Sequence, residues 1–220
     1  MNHIVIIGFM GSGKTRVGKR LAKDFNLPFV DVDRVVSKKM NLTMKEIFDR
    51  FGEPFYRALE TTVIKALIDD PEQKIISLGS GLPMQEQNAK YIKKLGTIVY
   101  LKGSYATLKK RLENSSSNPL IEGEDKEDKI RKLLKQRDPV YAKFADVEMI
   151  TGDKPFEDLM QMATEVLNGI GEQFNMKEMI KTISEENMKK PVVDDGYSIK
   201  TPEGLLDGAP VTVLSVEGKE

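Results

Sequence analysis

The chain has 220 residues, 34 of them Lys or Arg and 34 Asp or Glu, with one His, no Cys and no Trp. A formal charge of zero excludes the strongly basic surface that would make nucleic acid or a membrane the main partner, and the lack of Cys excludes disulfides and thiolate metal sites. The length suffices for one domain with a well-filled core plus an appendage; with neither a signal-like opening nor a long apolar run, the expectation is a soluble, cytoplasmic protein. The first element is legible at once: His3-Ile4-Val5-Ile6-Ile7 is an apolar, β-branched run, as in a strand buried on both faces of a parallel sheet.

After it comes Gly8-Phe9-Met10-Gly11-Ser12-Gly13-Lys14-Thr15, which fits the pattern G-x-x-x-x-G-K-[ST]. Val17, Leu21 and Ala22, with Arg16, Lys19, Arg20 and Lys23 opposite, then predict an amphipathic helix. A glycine-rich turn between strand and helix exposes backbone N–H groups, and the helix N-terminus adds its partial positive charge. A nucleoside triphosphate is therefore expected here, held by Gly11, Ser12, Gly13, Lys14, Thr15 and Arg16. Lys14 would reach the outer phosphates and the Thr15 hydroxyl would sit on Mg2+.

The next strand signature, Phe29-Val30-Asp31-Val32, ends beside Asp33. Residues two apart on a strand share a face, so Asp31 and Asp33 are expected to look into the same cleft as Lys14. One carboxylate can hold the metal's water shell, here Asp31, while the other takes the proton of an attacking hydroxyl, here Asp33. The competing role for such an Asp is to cap a helix.

Further strands are read at Ile75–Leu78, Thr97–Leu101 and Val147–Ile150, making five, with helical spacing over Phe48–Leu67, Tyr105–Leu112 and Asp128–Gln136. Alternating strands and helices predict an α/β fold, a parallel sheet covered on both faces, with ligands beyond the carboxyl ends of its strands. Asn114–Pro119 reads as a mobile surface loop. Leu159, Met162, Ala163, Val166 and Leu167 form one apolar stripe, and Met176, Met179, Ile180 and Ile183 a second, in which methionines signal packing. Val211–Val216 alternates like a strand, in a hairpin or in a flexible tail. Residues 171–220 carry six Lys, no Arg and ten acidic residues, which leaves the first 170 at +4. The division expected is a domain over 1–170 with a lid at about 112–125, and an extension over 171–220 that could mediate self-association of an otherwise monomeric protein. His3, the one histidine, lies in the first strand and is assigned to sheet packing.

Gly52-Glu53-Pro54-Phe55-Tyr56-Arg57 followed by Glu60 resembles the G-E-x-x-F-R-x-x-E segment of shikimate kinases. Gly79-Ser80-Gly81 stands at that family's glycine triplet, Asn118-Pro119-Leu120-Ile121 at its R-P-L-L, and Arg137-Asp138-Pro139-Val140-Tyr141 at its R-x-P-x-Y. The resemblance covers residues 3 to about 168. It implies the three-layer P-loop kinase fold with a five-stranded parallel sheet, and transfer of the ATP γ-phosphoryl group to the 3-hydroxyl of shikimate. It also implies that Arg57 and Arg137 clamp the shikimate carboxylate through planar N–H forks, with Glu60 orienting Arg57. Asp33 would bind the diol, and Gly79, Ser80 and Gly81 would bring backbone N–H groups to the ring. Arg111 falls at the adenine-stacking position, and Thr151–Pro155, with Pro155 at its end, would border the base from the other side.

Two positions depart from the family pattern. Ser80 replaces the middle glycine, and Asn118 replaces the lid arginine that meets the transferring phosphate. An arginine in that role is worth on the order of 10³ to 10⁵ in rate in GTPases. Either another cation such as Arg16, Lys126 or Arg131 substitutes, or turnover is slow, or the acceptor differs. Beside a shikimate kinase, the alternatives are another small-molecule kinase of the same fold, such as a gluconate-type enzyme, and a nucleotide-binding regulator that has lost catalysis.

Overall fold

The computed structural model describes residues 2–113, 118–152, 155–170 and 212–213. They fall into two compact units, 2–160 with 212–213, and 161–170. The first is built on parallel strands β1 (His3–Ile7), β2 (Phe29–Asp31), β3 (Ile75–Ser77), β4 (Gly96–Gly103), β5 (Val147–Thr151) and β6 (Thr212–Val213), in the order β2-β3-β1-β4-β5-β6. The five strands expected are all present. Thr212–Val213 adds a sixth, two residues long and parallel to β5; the remainder of 171–220 and the loop residues 114–117 lie outside the described residues.

Helices α1 (Lys14–Asp24), α2 (Val32–Met40), α3 (Met44–Ile68), α4 (Ala89–Leu95), α5 (Tyr105–Leu112) and α6 (Lys126–Phe144) fill the crossovers. The core follows from the two-residue period of the strands. Val5 and Ile7, Ile76 and Leu78, and Ile98 and Tyr100 join one apolar cluster with Val36, Ile47, Tyr56, Ile92 and Tyr141 from the helices. Ile6, Val99 and Leu101, one residue out of step, are equally buried, as strands covered on both faces require. His3 is 1% exposed; Lys74 N–H donates to its Nδ1, which leaves Nε2 to donate to the Leu67 carbonyl at 2.8 Å.

Two helices are longer than their periodicity suggested. α3 starts at Met44 because Thr43 and Glu46 form a reciprocal cap, Thr43 Oγ1 accepting from Glu46 N–H and Thr43 N–H donating to Glu46 Oε2. It is two helices joined at Gly52, whose φ of 82° breaks the first. Pro54 sits in the first turn of the second, where its missing N–H costs nothing. α6 runs to Phe144, through Pro139.

The register aligns the strand ends that matter. Ile6 of β1 and Asp31 of β2 both pair with Ser77 of β3. Since the strands are parallel, the chain leaves all three at one edge of the sheet, at Gly8, Val32 and Leu78.

Candidate active site

The loop between β1 and α1 turns through Gly8, Gly11 and Gly13 at φ 146°, 78° and 100°, a region that side chains disfavour. Gly13 is the N-cap of α1 and places no side chain on the helix end, and no acidic residue occupies the first turn. Val17 N–H to Gly13 carbonyl is the first bond of the helical ladder. The N–H groups before it are thus aimed into the loop, where an anion would complete them. Ser12 is 1% exposed, and its Oγ, without a hydrogen-bond partner, is a further polar atom awaiting a ligand. Lys14 Nζ curls back to the carbonyls of Gly8 at 2.9 Å and Phe9 at 3.1 Å. Burial pulls its pKa down to about 8, against the pull of Asp33 and then Asp31, while Arg137 also repels it. The Lys14 ammonium thus feels the charges of residues predicted for the acceptor, Asp33 and Arg137.

Thr15 Oγ1 donates to Asp31 Oδ2 at 2.8 Å, so the two oxygens assigned to the metal are neighbours. Hard oxygen donors, few in number, beside a phosphate loop are the set that Mg2+ takes, completing its shell with water and phosphate.

Asp31 and Asp33 are not arranged as strand alternation predicts. β2 ends at Asp31, which caps α2 by accepting from Arg34 N–H at 3.3 Å, and Asp33 lies in the first helical turn. The pair is therefore not on one strand face. Asp31 acts as helix cap and as partner of Thr15 at once, and Asp33 is turned toward α3, where Tyr56 OH donates to its Oδ1 at 2.7 Å.

In the second half of α3, Glu53, Tyr56, Arg57 and Glu60 recur at helical spacing and share one face. Arg57, 5% exposed, donates through Nε at 3.0 Å and Nη2 at 2.8 Å to Glu53 Oε1, and through Nη1 to Glu60 Oε2 at 2.7 Å. Glu60 is fully buried; burial pushes its carboxyl upward against the opposing pull of Arg57, and the charge of Asp33 adds to the rise. A Cβ on Gly79 would fall on Glu60 Oε1 and come within 2.7 Å of Asp33 Oδ1, and one on Gly81 would strike the Arg57 guanidinium. These glycines were expected to admit a ligand to the backbone. Their bareness first admits the carboxylates and guanidinium of the site itself.

Arg137, buried on α6, donates to Ser80 Oγ at 3.2 Å, and Tyr141, one turn on, donates to the Ser80 carbonyl at 2.5 Å. Thus Asp33, Arg57, Gly79, Ser80, Gly81 and Arg137 come together beside Lys14. Tyr56 and Tyr141 belong with them and were not singled out from sequence, although both stand inside the quoted motifs.

The remaining predicted residues lie around this centre. Arg111 Nη1 donates to the carbonyls of Gly11 at 3.2 Å and Ser12 at 3.3 Å, which seats an exposed guanidinium on the rim of the phosphate loop. Exposed Pro155 precedes Phe156, and the Arg16 guanidinium lies 3.7 Å above the Phe156 ring. Asn118 caps its own turn, Oδ1 accepting from Leu120 N–H at 3.0 Å. Among the other cations considered for its missing charge, Lys126 Nζ donates to the Glu113 carbonyl at 3.0 Å and Arg131 stacks on Tyr105 at 4.8 Å.

The family model "Shikimate kinase" matches residues 10–168. The chain belongs to the shikimate kinase family. A shikimate kinase of Thermodesulfovibrio yellowstonii is 38% identical over 172 residues, 77% of this chain and 99% of the relative. The solved shikimate kinase of Acinetobacter baumannii in complex with shikimate superposes with a TM-score of 0.71 at 32% identity, over 77% of this chain and 94% of that one. A gluconokinase from Sinorhizobium meliloti 1021 shares the fold at a TM-score of 0.53 and 18% identity, covering 80% of this chain and 97% of that one. At that identity the likeness speaks for architecture alone, so the match to shikimate kinases separates the two acceptor classes.

Proposed function

We propose that this chain transfers the γ-phosphoryl group of ATP to the 3-hydroxyl of shikimate, a step of aromatic amino-acid biosynthesis carried out in the cytoplasm by its domain over 1–170. The reading is carried by one observation: Asp33, Arg57 and Arg137, from three separate helices, meet around Gly79–Gly81 next to Lys14. That grouping offers a carboxylate for a hydroxyl and two guanidinium forks for a carboxylate, within reach of a phosphate-binding lysine. Shikimate presents both groups on one small ring.

The α1 N-terminus and Lys14 bind the phosphates, and the orphan Ser12 hydroxyl gains a partner when they arrive. Thr15 and Asp31 would hold Mg2+, which would supply charge neutralisation at the phosphates. Arg111 offers its flat face to the adenine from the loop rim, opposite Pro155. In the acceptor site Arg57 and Arg137 fix the ring through its carboxylate, and the ring in turn presents a hydroxyl to Asp33, which accepts its hydrogen bond and its proton as the oxygen attacks.

An ADP-release assay with shikimate, gluconate and nucleoside monophosphates tests the acceptor. Turnover is expected with shikimate alone. Arg137→Lys keeps the charge and loses the fork, so its shikimate affinity should drop by about 1–3 kcal/mol, the strength of hydrogen bonds to charged groups, with ATP affinity unchanged. Parent-like shikimate binding by that variant would remove Arg137 from the site.

A further inference from the structure

Asp33 is asked to do work that depends on direction, since a carboxylate accepts a proton well only along the lone pairs of the oxygen that faces the donor. Its hold comes from Tyr56, whose hydroxyl donates to Oδ1 at 2.7 Å. Tyr56 is fully buried, with its ring 5.2 Å from that of Phe48, so the phenol has a fixed place from which to pull. Burial, with the charges of Asp33 and Glu60, keeps the proton on the phenol by pushing its pKa well above the ordinary tyrosine value. It is therefore a donor at any pH where the protein works.

We propose that Tyr56 is a positioning residue for phosphoryl transfer: its hydroxyl anchors Asp33 Oδ1 and thereby fixes the direction from which the carboxylate meets the acceptor hydroxyl. The inference rests on the reading of Asp33 as the acceptor-side carboxylate. Without the phenolic hydroxyl, the carboxylate loses this anchor and turns about its own axis, so no oxygen is held toward the acceptor.

The experiment compares Tyr56→Phe with replacement of Tyr56 by 4-fluorophenylalanine, which fills the space of the hydroxyl but donates nothing. Both should lower kcat by about 10- to 100-fold, the range set by a hydrogen bond to a charged group. KM for ATP should stay within twofold and the shikimate dissociation constant within threefold, a split that loss of packing alone would not produce. Parent-like kcat in both variants overturns the proposal, as does a loss in Tyr56→Phe that 4-fluorophenylalanine restores, since the ring would then act by filling space. Asp33→Ala separates the underlying reading. In that background Tyr56→Phe should lower kcat no further, because nothing remains to be positioned. If Asp33→Ala itself turns over like the parent, the assignment of Asp33 fails and the proposal falls with it.

Discussion

The phosphate end and the acceptor end of this site are made of different material. At the phosphate end the working groups are mostly backbone: N–H groups of one continuous stretch, shaped by glycines at positive φ, with Lys14 as the charged side chain. At the acceptor end they are side chains, Asp33, Arg57, Glu60 and Arg137, delivered by three helices and packed against the bare backbone of Gly79 and Gly81. A backbone site is set by local chain geometry and binds a generic group, phosphate. A side-chain site needs the whole fold in place before it exists, and in return it can be specific for one ring.

The largest test of this contrast is Gly79→Ala. The backbone there is not left-handed, so the chain itself accepts Ala; the cost arises because the methyl group lands on Glu60 and crowds Asp33. Displacing a paired, buried charge should cost about 3 kcal/mol, or roughly 100-fold in kcat/KM for shikimate. Nucleotide affinity, read by titration with ATP, should stay within twofold. Equal losses for both substrates would mean that the two ends are one mechanical unit.

The next effect belongs to the phosphate end. Lys14 has a pKa of about 8 in the empty protein against 10.5 for an ordinary lysine, and bound phosphates favour its charged form. Between these values nucleotide binding must take up a proton, so ATP affinity should fall by up to about tenfold per pH unit above pH 8. The empty protein shows the reverse sign: its unfolded state holds the proton more tightly over the same window, so raising the pH from about 8 to 10.5 adds stability. Calorimetry in buffers of different ionisation enthalpy reads the uptake directly, and none should accompany shikimate binding.

The smallest effect is at Ser80. Its Oγ holds one of the five N–H groups of Arg137, which orients the guanidinium without exhausting it. Ser80→Gly should raise the KM for shikimate about threefold, at the weak end of a single hydrogen bond. A KM that falls would show that the hydroxyl competes with the ligand.

The same contrast explains what could be read from the sequence. Gly8–Thr15 announced its function because backbone sites are written in consecutive residues. The five main strands were legible from β-branched runs, and α5 was placed correctly from its spacing. What misled was the boundary at Asp31. Strand periodicity was carried two residues too far, to Asp33, because an N-cap Asp and a strand-end Asp look alike until Arg34 N–H is seen to bond the carboxylate. Tyr56 carried no local signal either, since an aromatic residue on the buried face of a helix is indistinguishable from core until Asp33 is brought to it from 23 residues away.

One feature of α6 bears on how the acceptor end can respond to its ligand. Pro139 has no N–H to give to the carbonyl of Lys135, so this helix of 19 residues lacks one rung. Arg137 sits inside the turn that lost it. Tyr141, which holds the Ser80 carbonyl, lies just beyond. The mechanical consequence is a division of compliance along a single helix: the segment that moors the loop stays stiff, while the guanidinium that must close on a carboxylate is mounted where the rod has give.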